Sequence, residues 1–149
     1  MYKRIAERRI RKVFADLTAG EFDAALADAA DDVHHVFPGD NAVGGERHSR
    51  EAMSRWLARL GRLFPELVFD VERVSVRGLP WEMWVCVKWT DRGRCADGVE
   101  YENAGAHWIH LRWGKAVQIR AYLDTERVSE HLRRMAAAGI EEAAATPVS

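Results

Sequence analysis

Arg120, Tyr122 and Asp124 occupy every second position near the end of this chain, with Ile119, Ala121 and Leu123 between them. A β-strand sends alternate side chains to opposite faces, so a guanidinium, a phenol and a carboxylate share one face. Lining a pocket, such a set suits proton transfer: the carboxylate exchanges the proton, and the phenol holds a carbonyl or enolate oxygen. Facing solvent, it is an ordinary polar strand face. Asp124 also fits a second role, as N-cap of the segment Thr125-Glu126-Arg127-Val128. Burial beside aromatic rings would raise its pKa, and Arg120 would oppose the rise.

The neighbouring strand adds to that face. If the last hairpin closes tightly at Trp113-Gly114, Arg112 pairs with Lys115, His107 with Arg120 and Asn103 with Asp124. His107, Asn103 and Tyr101 then join Arg120, Tyr122 and Asp124. A one-residue bulge would bring Trp108 and His110 across instead. The polar alternation Tyr101, Asn103, Gly105, His107 favours His107. Further back, Val33, His35 and Phe37 share one face of a short strand, and His34 and Val36 share the other. One imidazole therefore points inward, as a satisfied core histidine or as a general base. Adjacent histidines on a strand cannot share one ion, and no H-x-H or HExxH spacing occurs, so no metal site is expected. No nucleophile triad, phosphate loop or dinucleotide fingerprint is present either, and no cofactor is expected.

These residues need elements to hold them. Ile10, Val13, Phe14 and Leu17 mark an amphipathic helix ending at Gly20. Phe22, Ala25, Leu26 and Ala29 predict a second helix reaching Asp31-Asp32. A short strand, Val33 to Phe37, stops at Pro38-Gly39-Asp40-Asn41. The loop with Asp40-Asn41 and Gly44-Gly45 reads as a surface loop or a gate. Ser49 caps a third helix that buries Met53, Trp56, Leu57, Leu60 and Phe64. Four strands follow, Leu67 to Val76, Trp81 to Trp89, Tyr101 to Leu111 and Ala116 to Asp124, with a turn at Asp91-Arg92-Gly93. A last helix buries Val128, Leu132 and Met135. The order is α+β with helices on one face of a curved, mostly antiparallel sheet. Residues 1–138 form one domain and 139–149 a tail.

Composition excludes several classes. The 149 residues carry 22 basic and 23 acidic side chains, a net charge of −1, so no field favours nucleic acid or an anionic membrane. No apolar run approaches the ~18 residues of a membrane span. Two cysteines without CxxC spacing suit a reduced, cytoplasmic chain, with Cys86 as a core residue. Six tryptophans are many for this length. Of Trp84 and Trp89, which have opposite parity, only one can face a pocket, and aromatic walls suit flat apolar ligands.

Several strings in this order resemble the SnoaL-like group of the nuclear transport factor 2-like superfamily, which also contains ketosteroid isomerase. They are Leu17-Thr18-Ala19-Gly20-Glu21-Phe22-Asp23, Ala30-Asp31-Asp32-Val33, His35-Val36-Phe37-Pro38-Gly39, Tyr101-Glu102-Asn103, and Gly114-Lys115 leading to Arg120-Ala121-Tyr122-Leu123-Asp124. The resemblance implies a cone-shaped, cystatin-like α+β barrel around a deep apolar pocket, often homodimeric through the sheet's outer face. The isomerase mechanism is not implied: Phe37 stands where its basic Asp would be, and Val13 where its first-helix Tyr would be. Epoxide-hydrolase-like members add a middle-strand Arg-x-Asp, where this chain shows Lys88-Trp89-Thr90. Polyketide cyclases of the SnoaL type fit better.

The expectation is therefore cofactor-independent acid/base chemistry on an apolar cyclic molecule. Asp124, His35 and His107 would be catalytic, with Tyr122, Arg120, Asn103, Tyr101, Trp56, Phe37 and Trp89 against the substrate. A non-catalytic ligand-binding or dimeric assembly domain is the alternative reading, and an epoxide-hydrolase-like hydrolase a further one.

Overall fold

Helix α1 (Tyr2–Thr18) buries Ala6, Ile10 and Phe14, one residue per turn along a single stripe. That stripe lies across a six-stranded sheet in the computed structural model, which describes all 149 residues. The next helix, α2 (Phe22–Ala25), is a single turn. It is shorter than its apolar spacing predicts, because strand β1 (Ala29–Phe37) has already begun and takes Asp31 and Asp32 to its exposed side.

Where the sequence predicts only a loop, a strand forms: β2 (Gly45–Arg47) folds back antiparallel on β1, pairing His35 with Arg47 and Val36 with Glu46. The loop before it is anchored, with Ala42 and Val43 buried and Asn41 Nδ2 donating to Ser129 Oγ at 3.0 Å. Helix α3 (Arg50–Leu63) follows. Its N-cap Ser49 accepts the Ala52 N–H at 3.0 Å, and Trp56 and Leu57 are buried on its inner side.

The meander consists of β3 (Val68–Leu79), β4 (Glu82–Arg94), β5 (Glu100–Arg112) and β6 (Lys115–Leu123). The sheet order is β2-β1-β6-β5-β4-β3, with β1 and β6 parallel and every other pair antiparallel. It curves without closing into a barrel. Helix α4 (Thr125–Ala137) buries Val128, Leu132 and Met135. A short 3-10 turn, Glu141–Ala144, buries Ala143, and Glu142 forks onto Arg62 at 2.7 and 2.9 Å. No helix is long and apolar enough to cross a membrane.

Two register details decide what faces inward. Between β5 and β6, Arg112 pairs with Lys115 and Leu111 with Ala116, but His110 pairs with Gln118, so Val117 is an extra residue. From that bulge onward the parity of the hairpin is reversed. Trp108 stands beside Arg120, and His107 beside Ala121. The second detail is that β4 does not turn at Asp91-Arg92-Gly93; it runs on to Arg94, paired with β3 as far as Arg92 and with β5 to its end. Gly93 is there for proximity, since a Cβ would lie 2.4 Å from the Glu66 carbonyl oxygen. The chain reverses at Cys95–Val99, where Gly98 takes φ +81°.

The same alternation turns Cys86 to the outer face beside Trp108, half-buried rather than in the core. Inside, the buried apolar side chains form two clusters. One joins α3, α4, β1 and the 42–43 loop; the other joins α1 to β3, β4 and β5.

Candidate functional site

Where the two clusters face each other, the interior holds a cavity of about 470 Å³. Its walls are mostly apolar and aromatic, including Phe14, Phe69, Trp89 and Trp56. Tyr2, Arg9 and Asp28 also line it, and deeper among the apolar side chains stand His35, Asp91, Tyr101 and His107. Each of these four arrives by the pleat. On β4 the inward series is Met83, Val85, Val87, Trp89 and then Asp91; on β5 it is Ile109, His107, Gly105, Asn103 and Tyr101.

Asp91 is 5% exposed, and its Oδ1 has no hydrogen-bond partner. Burial pushes its carboxyl up to about 7, against a smaller opposing pull from the backbone N–H groups of Asn103 and of Asp91 itself. A carboxyl group in that range exchanges protons at neutral pH. This residue was absent from the sequence expectation, because Asp-Arg-Gly reads as a turn. The signal that finds it is phase: Asp91 continues the apolar alternation of β4 by one more step.

His107 lies inside the fold, edge-on to Phe14 at 5.3 Å. Trp89 Nε1 donates to His107 Nδ1 at 2.7 Å. That bond leaves the ring proton of the neutral imidazole on Nε2, as a donor. Burial lowers the His107 pKa to about 4, so the ring is neutral at physiological pH.

His35 is 1% exposed and tilted on Trp56 at 4.5 Å, with Nδ1 unpartnered. Its pKa is held well below the usual imidazole value, first by burial and then by the charge of Arg47. Arg47 is itself fully buried, 5.2 Å from the Trp56 ring, and donates to the Gly44 and Gly45 carbonyls. The Tyr101 phenol is held above its usual range by burial and by the nearby Asp91 charge. Tyr101 accepts from Asn103 Nδ2 at 3.1 Å, which leaves its own O–H free to donate.

The structure therefore divides the expected site. His35, His107, Tyr101, Trp56, Phe37 and Trp89 line the cavity. Asn103 is buried beside it, bridging Tyr101 to the Asp124 carbonyl at 3.0 Å. Arg120, Tyr122 and Asp124 do not line it. Arg120 and Tyr122 project from the outer face, Tyr122 at 56% exposed, because the Val117 bulge reversed their parity. Asp124 caps α4, accepting the Arg127 N–H at 3.1 Å with its side chain in solvent. Its expected place as pocket carboxylate belongs to Asp91. A carboxylate does follow Lys88-Trp89-Thr90 on the middle strand, but Trp89 stands two residues before Asp91, where an Arg-x-Asp pattern needs Arg.

A profile of the SnoaL-like domain matches residues 10–119, nearly three quarters of the chain. The protein belongs to the SnoaL-like family. No curated protein matches this SnoaL-like chain in sequence. Among solved structures it is similar to an NTF2-like protein of unknown function from Burkholderia pseudomallei K96243, with a TM-score of 0.74 and 17% identity over 84% of this chain and 95% of that one. TerC, co-crystallised with polyporic acid, matches with a TM-score of 0.67 and 18% identity over 84% and 95%. A candidate polyketide cyclase from Xanthomonas campestris pv. campestris matches with a TM-score of 0.58 and 18% identity over 78% and 88%. These structural likenesses establish a shared NTF2-like fold and, at such identities, the fold alone.

Proposed function

We propose that this SnoaL-like protein is a small-molecule enzyme performing cofactor-independent proton transfer on an apolar, cyclic carbonyl compound, in the manner of a polyketide cyclase or isomerase. The observation that carries this reading is the buried Asp91 carboxyl, its Oδ1 unpartnered and its pKa raised to about 7, at the wall of an apolar cavity. Asp91 removes a proton from a carbon next to a carbonyl. The Tyr101 hydroxyl, near the Asp91 charge, donates to the oxygen on which charge accumulates, and His107 Nε2–H, near His35 further along β5, orients a second polar group of the ligand. A neutral imidazole suits that task in an apolar cavity, since it donates a hydrogen bond without placing a charge there. Trp89 fixes the tautomer, and His35 offers a further uncharged polar contact. Aromatic walls hold a flat ligand and keep water from the intermediate. The likeness to TerC, crystallised with polyporic acid, and to a candidate polyketide cyclase supports a ligand of this kind.

A screen of flat apolar carbonyl compounds by thermal shift tests the reading, followed by deuterium exchange into the bound compound. Asp91→Asn should keep binding within a few-fold and lower proton exchange by at least ~100-fold. Unchanged exchange removes Asp91 from the role. Exchange absent from every bound compound, wild type included, favours a ligand-binding domain.

The partner reading is also a proposal. The outer face carries Trp108, 42% exposed, against Trp84 at 5.6 Å, with Tyr122 nearby on β6. Covering such a patch favours a homodimer across the sheet. Trp108→Lys should convert a dimeric mass in light scattering to a monomeric one, and a monomeric wild type refutes it.

A further inference from the structure

Metal chemistry reads as excluded when only the adjacent histidines His34 and His35 are considered, since they face opposite sides of β1. The β1–β2 hairpin supplies a different partner. With His35 paired to Arg47 and Val36 to Glu46, the residue opposite His34 is His48. His34, Glu46 and His48 all project from the outer face, while Arg47 between them points into the core. We propose that His34, Glu46 and His48 form a binding site for one divalent transition cation of the zinc class, at the β2 edge of the sheet.

The geometry is close to what such an ion needs. Glu46 Oε2 lies 2.9 Å from His34 Nε2 and 3.7 Å from His48 Nε2. All three donor atoms fall within 4.8 Å of one another. A tetrahedral ion with bonds of about 2.0–2.2 Å keeps its ligand atoms roughly 3.3 Å apart, which lies between the two observed spacings. The imidazoles are stacked, with centroids 4.6 Å apart and planes 10° from parallel, so both Nε2 atoms reach the same carboxylate from one side. Binding one ion requires the two rings to tilt out of the stack, together by about the 109° of a tetrahedral site, which the exposed His48 side chain is free to do.

Two imidazoles and a carboxylate are a borderline donor set that suits zinc, cobalt or nickel over magnesium or calcium, and leave a fourth position to water. The backbone under them is held from the other side. Arg47 is locked among the Gly44 and Gly45 carbonyls and Trp56, and His48 precedes the Ser49 cap of α3. Arg120 is the cation near Glu46, and it weakens the site without occupying a donor atom. The site is separate from the cavity, but the two share β1: an ion would pin the hairpin whose inner face presents His35.

The test is a titration of the untagged protein with Co²⁺, followed by displacement with Zn²⁺ against a chromophoric chelator. Wild type should take up one equivalent, with the visible absorption of four-coordinate cobalt, and Zn²⁺ should raise Tm. His48→Ala and Glu46→Gln, both at exposed positions, should each lower affinity at least about tenfold. His110→Ala, on β5 of the same face, should leave it unchanged. Uptake that survives both His48→Ala and Glu46→Gln overturns the assignment. So does the absence of any cobalt spectrum at millimolar metal.

Discussion

Asp91 links the proposed proton transfer to stability at the level of one side chain. Its pKa in the fold is about 7 against 3.8 for the free group. Below pH ~4 both folded and unfolded chains hold the proton, and the residue costs nothing. Between those values the unfolded chain releases the proton and the folded one keeps it, so stability falls as pH rises. Above pH ~7 the full penalty applies, on the order of 4 kcal/mol. Asp91→Asn should therefore be more stable than wild type at pH 8 and nearly equal at pH 4. Urea unfolding at the two pH values measures this, and a constant difference contradicts it. His107, lowered to about 4, works in the opposite sense. Its unfolded form takes up a proton below pH ~6.5, so stability is lost as pH falls from there toward 4. In Asp91→Asn this rising slope should stand uncovered. Trp89→Phe keeps an aromatic wall but removes the donor to His107 Nδ1. It should cost about 1–3 kcal/mol and lower proton exchange by at least ~10-fold, with ligand binding nearly kept.

Elements, more than residues, explain which parts of the molecule were legible in the sequence. Helices α1, α3 and α4 and the four-stranded meander follow from apolar spacing, because each buries one continuous stripe or face. The inward side of β6 did not follow. One extra residue, Val117, reverses the pairing parity, and nothing in the string Leu111-Arg112-Trp113-Gly114-Lys115-Ala116-Val117 announces it. His107 reaches the cavity through alternation on its own strand, not through pairing with Arg120 as the tight-hairpin register required. At Asp91 the local signal was misleading: turn-type residues sat in a strand held extended by neighbours on both sides, a tertiary effect. Asp124 shows the opposite case, where the local cap signal was right and the pocket role was not. Asp124→Ala should accordingly cost ~1 kcal/mol with proton exchange unchanged, and Asp124→Asn should cost less, as chemical denaturation and exchange rates will show. A large loss of exchange in Asp124→Asn would return that residue to the site.

At the scale of the whole molecule, the two buried apolar clusters are joined through the half-buried Leu17, Ile119 and Leu123, which also line the open space between them. Helix α1 with β3–β5, and α3 and α4 with β1, each bury their own stripe, and a cavity of about 470 Å³ lies between them. A domain of this size gains stability from every apolar contact it closes, and voids forfeit those contacts. Keeping this one open sacrifices packing, which is understandable if a ligand fills it. Ala6 distinguishes a cavity from an ordinary core. It is 5% exposed on α1, in the second cluster, and lines the cavity. In a filled interior Ala6→Leu would overpack and cost about 1–3 kcal/mol. Facing open space, the added carbons find room, and burying them should stabilise by roughly 1–2 kcal/mol. The same side chain would occupy volume that a flat ligand needs, so thermal shifts from such compounds should shrink or vanish. Stabilisation together with lost binding is the joint outcome that a ligand cavity requires. Destabilisation with binding intact would mean that the space at Ala6 is already taken and the ligand, if any, sits elsewhere.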